Sequence, residues 1–182
     1  MITCSLLKVT NQTLTVTIDV QNLQLSAHLT CVYARCSRLL RRPLWEELEA
    51  LSTSLLGPWG VCGDFNAITE IAERRSRGEF DVRSTREFSK VIENAGLIDA
   101  GFSGSLYSWC NNQSGSARSW ARLDRVLINI PWVSNFTRFK VDHLPRVNSD
   151  HNAILLSFPP QQSSSSKPFR FQRMWTKDDS FL

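Results

Sequence analysis

The sequence predicts an α/β (α+β) protein with one folded domain, because strand patterns and helix patterns alternate along a chain of 182 residues. Segments such as "TLTVTIDV" (13–20) place β-branched residues in a period-two pattern, which is typical of strands. Two segments, 43–55 and 84–95, repeat apolar residues at helical spacing. A chain of this length has room for one large hydrophobic core.

The first predicted elements are a β-hairpin and a helix. Residues 13–34 alternate apolar and polar side chains on both sides of a break at Gln21-Asn22, which predicts two paired strands ending at Tyr33. After the basic loop "ARCSRLLRR", Pro43 is expected to start a helix that Gly57-Pro58 stops. Its inward face consists of four leucines, and its acidic residues face elsewhere: Leu44, Leu48, Leu51 and Leu55 against Glu46, Glu47 and Glu49.

The central elements are a buried strand and a second helix. "WGVCG" (59–63) is a short apolar run between glycines, which favours a buried strand, and an arginine-rich loop follows it. Ser84 and Glu87 have the spacing of a capping box, and Gly96 stands where a helix C-terminus needs glycine. The inward residues of this helix are Phe88, Val91, Ile92 and Ala95.

The rest of the folded region predicts four more strands, at 105–111, 119–129, 139–144 and 151–158. A short helix started by Pro131 is expected between the second and the third. We therefore expect one domain over residues 1–158. Residues 159–182 begin with Pro159-Pro160 and a serine-rich linker, and are expected to be disordered.

Composition sets further limits on function. Hydrophobic residues make up 42% of the chain and charged residues 21%, which excludes wholesale disorder. The net charge of +4 is compatible with a polyanionic partner but does not require one. Five cysteines without a C-x-x-C pair predict reduced thiols in an intracellular compartment. No apolar run approaches the length of a membrane span.

Polar side chains that could take part in catalysis stand at the ends of predicted strands, where different strands can converge at one rim of a sheet. They are Tyr33, Asp64 with Asn66, Asp124, and Asp150 with His151. Each has a structural alternative when taken alone. "GDFN" is a plausible β-turn, the acid in "RLDR" could pair with the flanking arginines, "SDH" could cap a strand, and the tyrosine could be half-buried packing.

Taken together, these residues supply what phosphodiester hydrolysis requires. Asp150 can hold a hard divalent cation through oxygen. His151, oriented by Asp124, can take up a proton or donate to a phosphoryl oxygen. Asp64 can orient an attacking water, while the tyrosine and the asparagine can donate hydrogen bonds to phosphate.

Five motifs carry a family resemblance: "VYA" (32–34), "GDFNAI" (63–68), "SLYSW" (105–109), "RLDRVLIN" (122–129) and "RVNSDHNAI" (146–154). In order and rough spacing they resemble the endonuclease/exonuclease/phosphatase family. The chain is most similar to the endonuclease domain of plant LINE-type non-LTR retrotransposons. The tail "KPFRFQRMW" (167–175) resembles the segment that leads from this endonuclease toward the reverse transcriptase.

The resemblance implies a four-layer sandwich of two mixed β-sheets flanked by helices, and hydrolysis of phosphodiesters with Mg²⁺ or Mn²⁺. It implies that Tyr33 and Asn66 contact the phosphate. Asp64 would orient the nucleophilic water or assist the leaving group. Asp124 would orient His151, which would stabilise charge or take a proton at phosphorus.

The same resemblance implies a cation and a nucleic acid as partners. Asp150 would belong to the metal site, with Trp109, Arg118, Arg122 and Ser149 as substrate-binding residues. Core packing is the alternative for Trp109, because tryptophan is often buried. DNA is the implied substrate, and the resemblance therefore implies an intracellular protein that acts in the nucleus. No membrane and no obligate protein partner is expected beyond the reverse transcriptase region of a parent polyprotein.

One part of the family pattern has no match in this sequence. An early strand with a phosphate-binding Asn and a motif with a metal-binding Glu should precede Tyr33, but Asp19 is the only acid before Glu46. We therefore expect an N-terminally truncated domain with an incomplete first sheet. Weak cation binding and reduced or absent catalysis would follow, because Mg²⁺ needs anchoring charges.

Two alternatives stay open at this stage. The chain could bind nucleic acid without cleaving it, through its arginine-rich loop 74–86 and the arginines Arg35, Arg38, Arg41 and Arg42. The fold could also act on a phosphoinositide or another small phosphoester. The resemblance of "RLDRVLIN" and of the tail to retroelements argues against that substrate.

Overall fold

A computed structural model describes residues 1–21, 25–78 and 80–158, which form the α/β sandwich that the sequence predicts. The strands are β1 (Ile2–Val9), β2 (Thr13–Val20), β3 (Leu25–Tyr33), β4 (Trp59–Asp64), β5 (Arg74–Arg75), β6 (Leu97–Asp99), β7 (Ser103–Gly104), β8 (Trp109–Cys110), β9 (Trp120–Ala121), β10 (Asp124–Asn129), β11 (Lys140–His143) and β12 (Ile154–Ser157). The helices are α1 (Arg38–Ser54), α2 (Val82–Asn94) and α3 (Ile130–Asn135). The predicted linker and tail at 159–182 lie outside the described residues.

The main sheet has six strands in the order β1-β2-β3-β4-β10-β6. All neighbours are antiparallel except β3 and β4, which run parallel and are connected through α1. A parallel pair needs such a crossover, since a tight turn cannot join its ends. The predicted hairpin is confirmed as β2 and β3. The later strands β4, β10 and β6 extend the sheet of this hairpin.

Helices α1 and α2 cover one face of this sheet. Their apolar residues enclose a core in which Leu44, Leu48 and Phe88 are completely buried. The rings of Trp45 and Phe88 stack with centroids 5.1 Å apart and join the two helices. Each fully buried side chain of this size contributes about 2 kcal/mol to folding. The core therefore holds the sheet rigid beneath the strand ends.

A second core lies on the opposite face of the sheet. Val126, Ile128 and Val141 are buried there, together with Trp132 of α3. The partner layer is a three-stranded sheet in the order β12-β11-β7, and a further small sheet has the order β5-β9-β8. No helix in the described part of the chain is long and apolar enough to span a membrane.

Helix α1 begins at Arg38, five residues before the predicted start, and contains Pro43. The physical reason is a buried arginine. Arg41 donates to the carbonyl oxygens of Arg35 and Cys36 at 3.1 and 3.0 Å, which fixes the chain ahead of the proline. Glu47 was also expected on the outer face, but it is buried and accepts a 2.8 Å hydrogen bond from the Thr13 hydroxyl.

Helix α2 is capped by Asp81, and the expected capping box at Ser84 was wrong. The Asp81 carboxylate accepts from the backbone amides of Arg83 and Ser84 at 3.0 and 3.1 Å. The Ser84 hydroxyl instead accepts from the Arg41 guanidinium. The predicted C-terminal glycine is confirmed, because Gly96 has a φ of +62° just beyond the helix.

Strand β1 was not predicted from the sequence. It pairs antiparallel with β2 at the edge of the main sheet, and all eight of its residues are exposed. A strand exposed on both faces needs no alternation of apolar and polar residues. The period-two signal on which the prediction depends is therefore missing from it.

Candidate active site

Three of the predicted residues lie side by side across adjacent strand ends. Tyr33 at the end of β3 is the register partner of Asp64 at the end of β4, and Asp64 is the partner of Asp124 at the start of β10. Gly63 allows this close approach. A Cβ at Gly63, whose φ is +133°, would lie 2.1 Å from the Val32 carbonyl oxygen.

Asp64 is buried and is held by the turn that follows it. Its carboxylate accepts from the backbone amide of Asn66 at 2.8 Å and from the Asn66 side-chain nitrogen at 2.9 Å. The same nitrogen donates to the Ala34 carbonyl at 2.8 Å. Asn66 adopts a left-handed φ of +47°, and Arg41 donates to its carbonyl at 2.6 Å. Both protons of the Asn66 amide are therefore already used, and the residue orients Asp64.

Burial raises the pKa of Asp64 from 3.8 to about 6. The hydrogen bond from the Asn66 amide lowers it in part, and the negative charge of Asp124 raises it further. A carboxyl group with this pKa is ionised at neutral pH but takes up a proton readily, as a general base must.

Asp124 and His151 form the central hydrogen bond of the site. The Nδ1 atom of His151 lies 2.8 Å from Oδ2 of Asp124, whose side chain is buried while the imidazole is part-exposed. Ser108 fixes the backbone that carries Asp124, because its buried hydroxyl accepts hydrogen bonds from the backbone amides of Leu123 and Asp124, both at 2.9 Å. The hydroxyl of Ser149 accepts the His151 amide at 3.1 Å and shapes the turn before it.

The hydrogen bond to Asp124 raises the pKa of His151 above its ordinary value. Burial opposes this, while the charges of Asp124, Asp64 and Asp150 add to it. The imidazole therefore favours its protonated form, surrounded by three carboxylates.

Asp150 and Trp109 meet at the outer rim. The Nε1 atom of Trp109 donates to Oδ2 of Asp150 at 3.1 Å, and a single β-bridge joins Trp109 to His151. Trp109 is only half-buried, so it takes the rim position rather than the core position left open by the sequence. A cavity of about 220 Å³ adjoins it and is also lined by Asn66.

The two arginines predicted to bind substrate have different environments. Arg118 is exposed, with its guanidinium 5.8 Å from the ring centroid of Trp120. Arg122 is buried and bonded to Glu73 at 3.1 Å and to Asp99 at 2.8 Å. Its predicted place along a nucleic-acid path is corrected, because Arg122 is buried and its charge is paired with the buried Glu73 and with Asp99 at the end of β6.

The residues do not fit a resident divalent cation. Within residues 1–21, 25–78 and 80–158, no three His, Cys, Asp or Glu side chains come together as a ligand group. Asp150 is the predicted ligand, and one of its oxygens accepts the Trp109 hydrogen bond. One exposed carboxylate is a poor anchor for Mg²⁺, which holds its waters tightly.

Sequence reasoning missed three contributors. Ser108 stands inside the motif "SLYSW" that marks this region, one residue before Trp109, so its position was a usable signal. Arg146, which begins "RVNSDHNAI", places its guanidinium 4.7 Å from the ring centroid of Trp120. Arg41 was expected among the nucleic-acid-binding arginines, but it is buried and donates to the Asn66 carbonyl, a role for which the sequence has no local signal.

Comparisons by sequence find no matching protein-family model and no matching curated protein. Comparison by structure finds the endonuclease domain of TRAS1, a telomere-specific non-LTR retrotransposon, with a TM-score of 0.68 and 19% identity. That match covers 88% of this chain and 70% of the other. The 3′ phosphatase NExo from Neisseria, bound to a product DNA hairpin, matches with a TM-score of 0.60 and 14% identity over 87% and 70% of the two chains.

An endonuclease/exonuclease/phosphatase family protein from Leptotrichia buccalis matches with a TM-score of 0.50 and 11% identity, over 87% of this chain and 61% of that one. Identities this low support a statement about fold. The strand order, the row of polar strand ends and these matches together show that the chain has the fold of the endonuclease/exonuclease/phosphatase family.

Proposed function

We propose that this chain is a phosphodiester hydrolase that acts on nucleic acid. The observation that carries the proposal is the 2.8 Å hydrogen bond between Asp124 and His151, next to a buried Asp64 in register with Asp124. A base, an orienting acid and an imidazole within one short row match the needs of attack by water at phosphorus.

Asp64 is the base in this proposal. With a pKa of about 6 it is a carboxylate at neutral pH, and it can accept the proton of a water that attacks phosphorus. Asn66 holds the carboxylate in place through two hydrogen bonds, so little reorganisation is needed when the proton arrives.

His151 stabilises the negative charge that builds up on the phosphoryl oxygens. Asp124 holds the Nδ1 side of the ring, which leaves Nε2–H to donate to phosphate. The raised pKa of His151, caused first by the hydrogen bond to Asp124, favours the protonated imidazole in which Nε2 is a donor. Tyr33 at the same row is 74% exposed, so its hydroxyl can serve as a second donor to the phosphate.

A partly exposed surface of aromatic and basic side chains favours nucleic acid over a small phosphoester. Arg118 and Arg146 both lie over the ring of Trp120, and Tyr107 packs 6.3 Å from it. Aromatic rings stack on bases, and arginines contact phosphates. That the TRAS1 domain is an endonuclease and that NExo was bound to a DNA product support the same substrate class. A retrotransposon origin and a reverse transcriptase partner in a parent polyprotein remain proposals that rest on the resemblance.

The divalent cation is proposed as a weakly bound partner with Asp150 as its ligand from this chain. Binding of Mn²⁺ is expected with a Kd of about 1 mM or weaker. It can be measured by paramagnetic broadening of amide signals. Broadening centred on Asp150 in the wild type but not in Asp150→Asn would support the assignment, and equal broadening in both would remove it.

The test of catalysis is the nicking of supercoiled plasmid in Mg²⁺ or Mn²⁺. His151→Ala is expected to lose about 10²-fold or more of the wild-type rate. His28→Ala is the matched control, because His28 bonds to Thr17 at the far end of β3. Equal nicking by wild type and His151→Ala would overturn the catalytic proposal. Release of phosphate from inositol phosphates without nicking would replace nucleic acid by a small substrate.

Binding without cleavage is the second candidate, favoured by the surface around Trp120. The basic cluster near α1 supports it less than expected. Arg41 is buried, and Arg38 and Arg42 pair with Glu87. Measured binding to an oligonucleotide should weaken steeply with salt.

Arg146→Ala tests this binding surface directly. The variant should reduce the slope of log affinity against log salt by about one. Arg138→Ala is the control, because Arg138 is an exposed arginine outside that surface. Affinity that does not respond to salt would remove this candidate.

A further inference from the structure

Two cysteines lie directly beneath the row of catalytic residues. Cys31 on β3 and Cys62 on β4 are register partners in neighbouring parallel strands, each two residues before Tyr33 and Asp64. Residues two apart in a strand share a face, so both thiols lie on the face of the proposed site. Cys62 packs against the second core, whereas its neighbour Val61 belongs to the first, which supports this assignment.

The spacing of the pair suits a disulfide. Neighbouring strands lie about 4.7–4.9 Å apart, and disulfides need Cα atoms about 4.4–6.8 Å apart. Both cysteines are free in this structure.

The two thiols can be reached from solvent, and they differ in exposure and in pKa. Cys31 is exposed, and Cys62 is half-buried. The hydrogen bond from Cys62 lowers the pKa of Cys31 to about 6, and the same contact together with burial raises the pKa of Cys62. Cys31 is thus the more acidic and more exposed thiol of the pair, which makes it the attacking group.

The two cysteine side chains line a cavity that extends to the proposed site. This cavity of about 340 Å³ is lined by Cys31, Cys62 and Asp124, together with Asn152 and Ala153, which follow His151. A reagent that reaches the thiols therefore enters a space bounded by the residue that orients the imidazole.

We propose that Cys31 and Cys62 are a dithiol site that small disulfides such as oxidised glutathione convert into an intramolecular disulfide. The Cys31 thiolate attacks one sulfur of the small disulfide, forms a mixed disulfide and releases one thiolate. Cys62 passes its proton to that thiolate and attacks the Sγ of Cys31, which displaces the second small thiol. Two protein thiols lose two electrons, and one small disulfide becomes two thiols.

The experiment treats the full chain with oxidised glutathione and maps the products by non-reducing peptide mass spectrometry. The wild type is expected to yield a Cys31–Cys62 disulfide. Cys62→Ser should stop at a single glutathione on Cys31, because it lacks the resolving thiol. Cys4 is the internal control, since it is an exposed strand cysteine whose register partner is Ile18.

At pH 6.5, Cys31 is expected to react about five to ten times faster than Cys4, allowing for the lower nucleophilicity of a low-pKa thiolate. Two outcomes overturn the proposal. One is a wild type in which glutathione stays on Cys31 without closing the disulfide. The other is a Cys31 that reacts no faster than Cys4.

Discussion

Replacing Asp64 by Asn is expected to stabilise the protein at neutral pH while it removes the proposed base. The carboxylate is buried, and the difference between its ordinary pKa of 3.8 and a folded-state pKa of about 6 corresponds to about 3 kcal/mol. That energy opposes folding whenever the group is ionised. The asparagine places an NH₂ group against the Asn66 amide, and the lost hydrogen bond costs about 1 kcal/mol. A net gain of about 1–2 kcal/mol follows.

The stabilisation by Asp64→Asn should increase as the pH rises. A carboxyl group whose pKa is raised on folding binds more protons in the folded state than in the unfolded state. The wild type therefore loses stability as the pH rises from about 4 to about 6, and the loss persists above pH 6. Near pH 4 the folded wild type already carries a proton on Asp64, so the advantage of Asp64→Asn should vanish or change sign.

The assay is urea unfolding followed by tryptophan fluorescence at pH 4, 5, 6 and 7.5. The free energy of unfolding of Asp64→Asn minus that of wild type should rise between pH 4 and pH 6.5 and then level off. Asp19→Asn is the control: it makes the same change on β2, opposite Ser26 and away from the proposed site, and it measures the general effect of removing a carboxylate. A difference that stays constant across this range, or that falls with pH, would refute the assignment of a raised pKa to Asp64.

Three further outcomes can be checked. Asp124→Asn should reduce plasmid nicking about 10²-fold or more, since the imidazole loses its charged partner, and an unchanged rate would exclude Asp124 as the orienting acid. Ser108→Ala should lower the free energy of unfolding by about 1–3 kcal/mol, because two buried amides lose their acceptor, whereas Ser105→Ala in the adjacent exposed turn should change little. Glu73→Gln should destabilise by about 3 kcal/mol, because the buried guanidinium groups of Arg122 and Arg125 then share Asp99 as their remaining carboxylate partner. The exposed Glu70→Gln gives the comparison in thermal unfolding, and equal melting temperatures for the two would contradict the argument.

The location of the site could be predicted because strand ends are visible in the sequence. Asp64 and Asp124 follow or begin apolar runs, and the sheet brings such positions to one rim. The partnership of Asp124 with His151 was expected from the family resemblance and is present as a hydrogen bond. Local pattern and motif order were enough here, since these residues lie where regular structure starts or stops.

Long-range pairing could not be predicted in the same way. Arg122 and Arg118 stand four residues apart in the sequence, yet Arg122 is buried against carboxylates that are distant along the chain, whereas Arg118 is exposed. The neighbourhood of Cys31 and Cys62 likewise depends on the parallel register of β3 and β4, which spans 31 residues of chain. Neither fact has a local sequence signal.

Gly63 has a consequence for which substitutions the proposed site can tolerate. The row of Tyr33, Asp64 and Asp124 keeps its spacing because a hydrogen atom stands where any other residue would press a carbon into the Val32 carbonyl. A variant that retains every acid and the histidine, but carries another residue at position 63, is expected to have its strand ends pushed apart. The glycine of "GDFN", which the sequence presents as a turn former, therefore constrains the site as much as the charged residues do.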